Sequence, residues 1–276
     1  MSYKRILTIQ DISCLGQCSL TVALPILSAC GMETVILPSA VLSTHTGGFT
    51  GYTFRDLTDD IPKIKAHWQK EKIKFDGIYT GYLGSTKQIE YVKDIIGNML
   101  VPGAKVIVDP AMADGGKLYP GFDNDFVEAM KTLCFGADII IPNITEACLL
   151  TGFEYKEKYD RAYIDGLLNE LKKCGAGDII LTGIGYEDGY TGVVIYENGN
   201  YHYYKHEKIA GGYHGTGDVY ASSFVGAMMN GRDEFESAKI AADYTLECIK
   251  ATKDDENHKY GVKFELAIPK LIESLF

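Results

Sequence analysis

The sequence has no run of ~18 consecutive apolar residues, so no segment is long enough to cross a bilayer as a helix. The first 13 residues carry an apolar run too short for a secretory signal and no small-residue cleavage site, and the chain reads as soluble and unexported. Basic residues are in the minority: 27 Lys and Arg face 37 Asp and Glu, a net charge of −10. That balance argues against nucleic acid and leaves room only for a local phosphate pocket. No CxxC pair occurs among the seven cysteines, Cys14, Cys18, Cys30, Cys134, Cys148, Cys174 and Cys248. An odd, scattered set excludes a disulfide framework and a zinc ribbon, and favours reduced thiols of a cytoplasmic protein, packed as small buried groups. Prolines number only 8, and no low-complexity tract or internal repeat interrupts the chain. With 46% hydrophobic and 23% charged residues, the expectation is one folded domain over 1–276.

Two nucleotide fingerprints are also missing. There is no GxxxxGK[ST] loop, and the first strand runs into Gln10-Asp11-Ile12-Ser13-Cys14-Leu15-Gly16 where a GxGxxG turn would be needed. Gly183-Ile184-Gly185 precedes a hairpin, not a helix. A P-loop ATPase and a Rossmann dehydrogenase both lose ground.

What is present is alternation. Hydrophobic spacing predicts strands over 5–10, 34–37, 77–80, 105–108, 138–141 and 178–182, separated by helices over 19–29, 54–72, 86–99, 123–135, 145–151 and 160–174. Such alternation implies an α/β fold, a mostly parallel central sheet with helices on both faces. Glu197-Asn198-Gly199-Asn200 between β-rich runs at 191–196 and 201–206 predicts an antiparallel hairpin at the sheet edge. Three helices, over 217–230, 234–252 and 263–274, complete the chain, with a polar loop over 253–260 before the last.

In an open α/β sheet, ligands bind beyond the carboxyl ends of the strands. Gly211-Gly212-Tyr213-His214-Gly215-Thr216-Gly217-Asp218 opens an apolar helix. Glycines let several backbone amides turn toward one point, and a helix N-terminus adds positive potential, so this segment suits an anion or a phosphoryl group in flight. Asp218 stands beside it, with helix capping as its ordinary alternative.

Gly215-Thr216-Gly217-Asp218 at a helix start resembles the signature of the ribokinase-like superfamily, in which that Asp takes a proton from the substrate hydroxyl. Ser43-Thr44-His45-Thr46-Gly47, Thr80-Gly81-Tyr82-Leu83-Gly84-Ser85, Asp109-Pro110-Ala111-Met112-Ala113-Asp114 and Pro142-Asn143-Ile144-Thr145-Glu146 follow successive strands and resemble pyridoxal kinases in the same order. The likeness runs along essentially the whole chain. It implies a three-layer ribokinase-like fold and ATP-dependent phosphorylation of the hydroxymethyl group of a B6 vitamer (pyridoxal, pyridoxine or pyridoxamine) for salvage of pyridoxal 5'-phosphate. It further implies Mg2+ as cofactor, with a monovalent cation left open, and a homodimer.

By the same resemblance, Asp218 is the base, and the amides of Gly215, Thr216 and Gly217 stabilise the phosphoryl oxygens. Ser13, His45, Thr46 and Tyr82, with Asp218, hold the vitamer. Asp109, Asn143, Glu146 and Thr182 join the glycines around ATP, and Asp114 with Glu146 serves the metal. Each has a plainer alternative: a turn hydroxyl for Ser13, a satisfied loop histidine for His45, a cap for Thr46, packing for Tyr82, and solvation of strand ends for the acids. Ile141 stands where many pyridoxal kinases carry threonine, Ala111-Met112-Ala113 replaces a glycine-bearing segment, and the Tyr213-His214 pair is unusual. The rivals are a hydroxymethylpyrimidine kinase on the same scaffold and a non-catalytic binding protein. A sugar kinase, with its early β lid, is disfavoured because 39–53 is short and glycine-rich.

Overall fold

The computed structural model describes residues 3–197, 199–255, 258 and 260–276. Asn198 of the predicted hairpin turn lies outside the described residues, as do 256, 257 and 259 of the predicted polar loop.

Nine strands form the main sheet in the order β11-β10-β9-β8-β5-β4-β1-β2-β3. In chain order the elements are β1 (Arg5–Ser13), α1 (Leu20–Ala29), β2 (Glu33–Leu42), β3 (Phe54–Asp56), α2 (Ile61–Lys70), β4 (Phe75–Thr80), α3 (Thr86–Met99) and β5 (Leu100–Val108). Next come β6 (Ala113–Asp114), β7 (Lys117–Leu118), α4 (Asn124–Cys134), β8 (Ile139–Ile140), α5 (Ile144–Thr151), α6 (Arg161–Lys173) and β9 (Asp178–Thr182). The chain finishes with β10 (Tyr190–Glu197), β11 (Asn200–Glu207), α7 (Thr216–Met229), α8 (Glu234–Thr252) and, after a 3-10 turn at Phe264–Leu266, α9 (Ile268–Leu275). The six strands β1, β2, β4, β5, β8 and β9 are parallel, and the β10–β11 hairpin extends one edge antiparallel, as the Asn-Gly turn predicted.

Strand residues alternate between the two faces, and both faces are apolar because both are covered. Leu7, Ile9, Ile78, Val106, Val108, Ile140 and Leu181 belong to one core, which includes Ile89, Met130 and Leu167 of α3, α4 and α6. Ile6, Tyr79, Ile107, Ile139, Ile180 and Ile195 belong to the other, with Val22, Phe224 and Ala241 of α1, α7 and α8. Each such aliphatic side chain contributes roughly 1.5–3 kcal/mol on full burial. α7 is apolar nearly all round because it is the central helix of its layer: a Cβ on Gly226 would meet Cys30 Sγ at 2.4 Å, so only glycine lets α1 approach it there.

Most helix starts follow side-chain caps, Ser85, Asp123, Asp160 and Asp233 each accepting the amide three residues on. Three expectations need correction. The helix predicted over 54–72 is a strand followed by a shorter helix: residues 54–56 pair antiparallel with the end of β2, and the helix begins at Ile61, where Pro62 fits the first turn. The strand predicted over 34–37 runs on to Leu42, and its end gains β3 as an edge partner. Cys14 and Cys174 are exposed, not buried. Among the described residues, no helix is long and apolar enough to cross a membrane.

Candidate active site

The parallel strands end together, and their backbones stay laced beyond the sheet. Gly81 N–H donates to the Ile9 carbonyl, Asp109 to Thr80, Ile141 to Val108 and Thr182 to Pro142, at 2.9–3.1 Å. This lacing sets Tyr82, Asp109, Asn143 and Thr182 along one edge of the sheet.

Gly215 opens α7 in the left-handed region, φ 75°. A Cβ there would lie 1.8 Å from the Gln17 carbonyl oxygen, so both conformation and contact require glycine. No side chain caps α7. Asp218 instead accepts the backbone N–H of Ser19, across the site, which sets aside the capping alternative. Ser19 is strained, at φ 55° and ψ −130°. Burial pushes the Asp218 carboxyl up to about 7; the Ser19 amide opposes the rise and the Asp11 charge adds to it.

Asp109 is held well above the carboxylate range by burial first, then by the charges of Glu146 and Asp218. Glu146 rises to about 7, chiefly through burial, against the amides of Asn143, Met112 and Ala113. These acids therefore feel one another. Glu146 is also structural: Oε1 accepts from Met112 N–H at 3.1 Å, and Oε2 from Asn143 N–H at 2.9 Å in a capping box. Asn143 completes it, its Oδ1 accepting from Glu146 N–H while its Nδ2 donates to the Ala113 carbonyl. Thr182 Oγ1 donates to the Pro142 carbonyl at 3.3 Å. Asp114 is exposed and accepts from Gly115 N–H at 2.7 Å.

At the other end of the site, the Tyr82 ring lies 5.5 Å from that of Phe122, which stacks on Phe126 at 3.9 Å. Its phenol is pushed up to about 12, by burial first and then by Asp11, Tyr52 and Asp56. Ser13 Oγ donates to Asp11 Oδ2 at 3.0 Å, so this hydroxyl faces a carboxylate of its own strand. His45 is buried with both ring nitrogens engaged: Nδ1 accepts from Gly47 N–H and Nε2 reaches the Tyr260 carbonyl, each at 3.1 Å. An acceptor at Nδ1 makes Nε2 the protonated nitrogen. The ring fits against Gly16, whose added Cβ would come within 2.1 Å, and lies 5.1 Å from the ring of the exposed His214. Thr46 is exposed on the same loop.

Sequence reading missed two groups. Asp11 is buried between Asp218 and Tyr82, and each of those shifts upward under its charge. Tyr119 follows β7 at the mouth, and its phenol is raised by burial and then by Glu146, Asp109, Asp114 and Asp218. Clustered acids after strands 5 and 8 were legible; a tyrosine that responds to their charges was not, because it is one of 19.

Among the described residues, no three His, Cys, Asp or Glu side chains sit close enough to cage a metal ion. Asp114 and Glu146, expected to serve a metal together, are two carboxyls near enough for the Asp114 charge to raise Glu146. The donor set still fits magnesium, because buried Glu146 and half-buried Asp109, which Glu146 raises, offer oxygens to a hard ion that keeps its water and phosphate ligands.

A sheet covered on both faces, ending in clustered acids beside a glycine-opened helix, is the architecture of a ribokinase-like small-molecule kinase. The chain belongs to the phosphomethylpyrimidine kinase family, whose sequence model matches residues 26–263. A protein from Bacteroides thetaiotaomicron assigned as a phosphomethylpyrimidine kinase, crystallised with pyridoxal, is 37% identical with a TM-score of 0.92, covering 98% of this chain and 96% of that one. The pyridoxal kinase of Lactobacillus plantarum is 29% identical with a TM-score of 0.91, covering 99% and 98%. The hydroxymethylpyrimidine/phosphomethylpyrimidine kinase of Aquifex aeolicus is 30% identical over 130 residues, 47% of this chain and 48% of that protein.

Proposed function

We propose that this kinase transfers the γ-phosphoryl group of ATP to the hydroxymethyl group of a B6 vitamer. The observation that carries the reading is Asp218, released from capping duty and raised to about 7, in the first turn of an uncapped helix. Asp218 takes the alcohol proton as the oxygen bonds to phosphorus and the bond to the ADP leaving group breaks. Phosphoryl transfer is loose, so a carboxylate of modest basicity suffices as a late acceptor. The amides of Gly215, Thr216 and Gly217 receive the equatorial oxygens. A bound magnesium ion supplies charge neutralisation to the ATP phosphates. Buried Glu146 and half-buried Asp109 are the carboxyls that would hold its water shell, with exposed Asp114 beside them.

Tyr82, Thr46 and the loop held by His45 would form the vitamer end, and Thr182 with Asn143 the nucleotide side. The likeness to a protein crystallised with pyridoxal, over almost the full length of both chains, supports a pyridine substrate. The second reading is a hydroxymethylpyrimidine kinase, favoured by the family's description and by the Aquifex relative. We assign the activity to a single domain over 1–276, acting in the cytoplasm as a homodimer.

The test is an ATP-dependent phosphorylation panel of pyridoxal, pyridoxine, pyridoxamine and hydroxymethylpyrimidine with magnesium varied. Turnover of the vitamers at a kcat/KM at least ten-fold above the pyrimidine is expected. Turnover of the pyrimidine alone would replace the substrate assignment.

A further inference from the structure

Phosphoryl transfer leaves Asp11 without a task. It sits at a β-bulge, where the pairing of β1 with β2 shifts register between Gln10 and Ile12. The extra residue belongs to β2, where Ser39 and Ala40 stand against Asp11 alone, and the Asp11 side chain is only 5% exposed. Ser13 Oγ donates to it at 3.0 Å, and the hydroxyl of strained Ser19 does so from the start of α1. The other titratable groups that feel it are Asp218 of α7, Tyr82 after β4 and Cys18 before α1, which are neutral or anionic when they titrate. Among the described residues, no Lys, Arg or His nitrogen lies within the 4.0 Å of an ion pair.

A carboxylate taken out of water beside a second acid is costly unless a cation meets it, and two hydroxyls offset only part of that cost. The balance is visible in Asp11 itself, where burial outweighs both serines and raises the carboxyl. Among the described residues, none supplies a counter-charge at this spot.

Building on the proposed kinase reading, we infer that the counter-charge comes from the substrate: Asp11 is a specificity-determining residue that accepts a cationic N–H of the heteroaromatic alcohol. A 3-hydroxypyridine provides one, because its ring nitrogen holds a proton as the zwitterion at neutral pH, whereas an aminopyrimidine is neutral. Asp11 therefore selects pyridinium over aminopyrimidine, and Ser13 acts through it as a positioning residue.

The test is equilibrium binding and turnover with wild type, Asp11→Asn and Asp11→Ser. The probes are pyridoxine, hydroxymethylpyrimidine and the isostere of pyridoxine with CH in place of the ring nitrogen. Wild type should bind pyridoxine roughly ten- to hundred-fold tighter than the CH isostere, the range of a charge-assisted hydrogen bond. Asp11→Asn, nearly isosteric, should bind the two within about three-fold while its affinity for the pyrimidine stays within about three-fold of wild type. An equal loss for all three probes, unchanged pyridoxine affinity in both variants, or no wild-type preference for pyridoxine would overturn the assignment. Melting temperatures check that both variants are folded. If wild type binds pyridoxine selectively but phosphorylates only the pyrimidine, the vitamer-kinase reading falls while Asp11 keeps its role in recognition.

Discussion

Replacing Asp218 by Asn should stabilise the protein increasingly as pH rises from about 4 to 7, and by a constant amount above that. Burial raises this carboxyl from 3.8 to about 7, so the folded chain binds the proton more tightly than the unfolded chain does. Between these values the unfolded state releases its proton first, and stability declines as pH rises until the folded carboxyl has ionised too. A rise of that size corresponds to about 4 kcal/mol at most. Asp218 is half-buried, and solvent screening reduces the effect to about 2 kcal/mol. Asparagine cannot ionise, so the variant should melt about 4–8 °C above wild type at pH 8.5 and within about 1 °C of it at pH 4. Loss of the Asp218 charge also relieves Asp109, which acts in the same direction. Thermal unfolding of both proteins from pH 4 to 9 is the assay. A difference that does not grow between pH 4 and 7, or a variant less stable than wild type at pH 8.5, would refute the reasoning.

Gly215→Ala should cost at least about 2 kcal/mol in the glycine loop and lower kcat, because φ 75° disfavours a side chain and the Gln17 carbonyl stands 1.8 Å from the new Cβ; unchanged melting and kcat would contradict this. Thr46→Val should raise the vitamer KM with little change in ATP affinity, and an unchanged vitamer KM would place the substrate elsewhere. His45 is held below its ordinary pKa by burial, so its contribution to stability is present above pH 6.5 and falls away as pH drops through and below it. His45→Ala should lose about 1–3 kcal/mol at pH 8, since the Gly47 amide and Tyr260 carbonyl lose their partner, and should flatten the acid side of the melting curve; a variant with wild-type melting at pH 8 would remove His45 as a staple.

The parallel core was legible because double coverage makes strands continuously apolar and because Asp and Ser caps mark helix starts; α3 and β9 fall on the predicted bounds. β3 was not legible. Its three residues are exposed, and only the end of β2 makes them a strand. β6 and β7, two residues each, depend likewise on each other's pairing. Asp218 stood out through its glycines. Asp11 did not, because the predicted strand stops at Gln10, whereas β1 runs on through Asp11 to Ser13 by pairing with β2. Ser13, chosen for the substrate, spends its hydroxyl on that hidden acid. The nitrogens of His45 are taken up by the Gly47 and Tyr260 backbone, a long-range arrangement that no local pattern announces.

The claim that Asp218 removes the alcohol proton is tested most directly by steady-state phosphorylation of pyridoxine, with vitamer and ATP-analogue binding measured in parallel on Asp218→Asn. The expected result is a kcat reduced by at least ~10²-fold with both affinities retained. A variant that binds both ligands and turns over at the wild-type rate would contradict it.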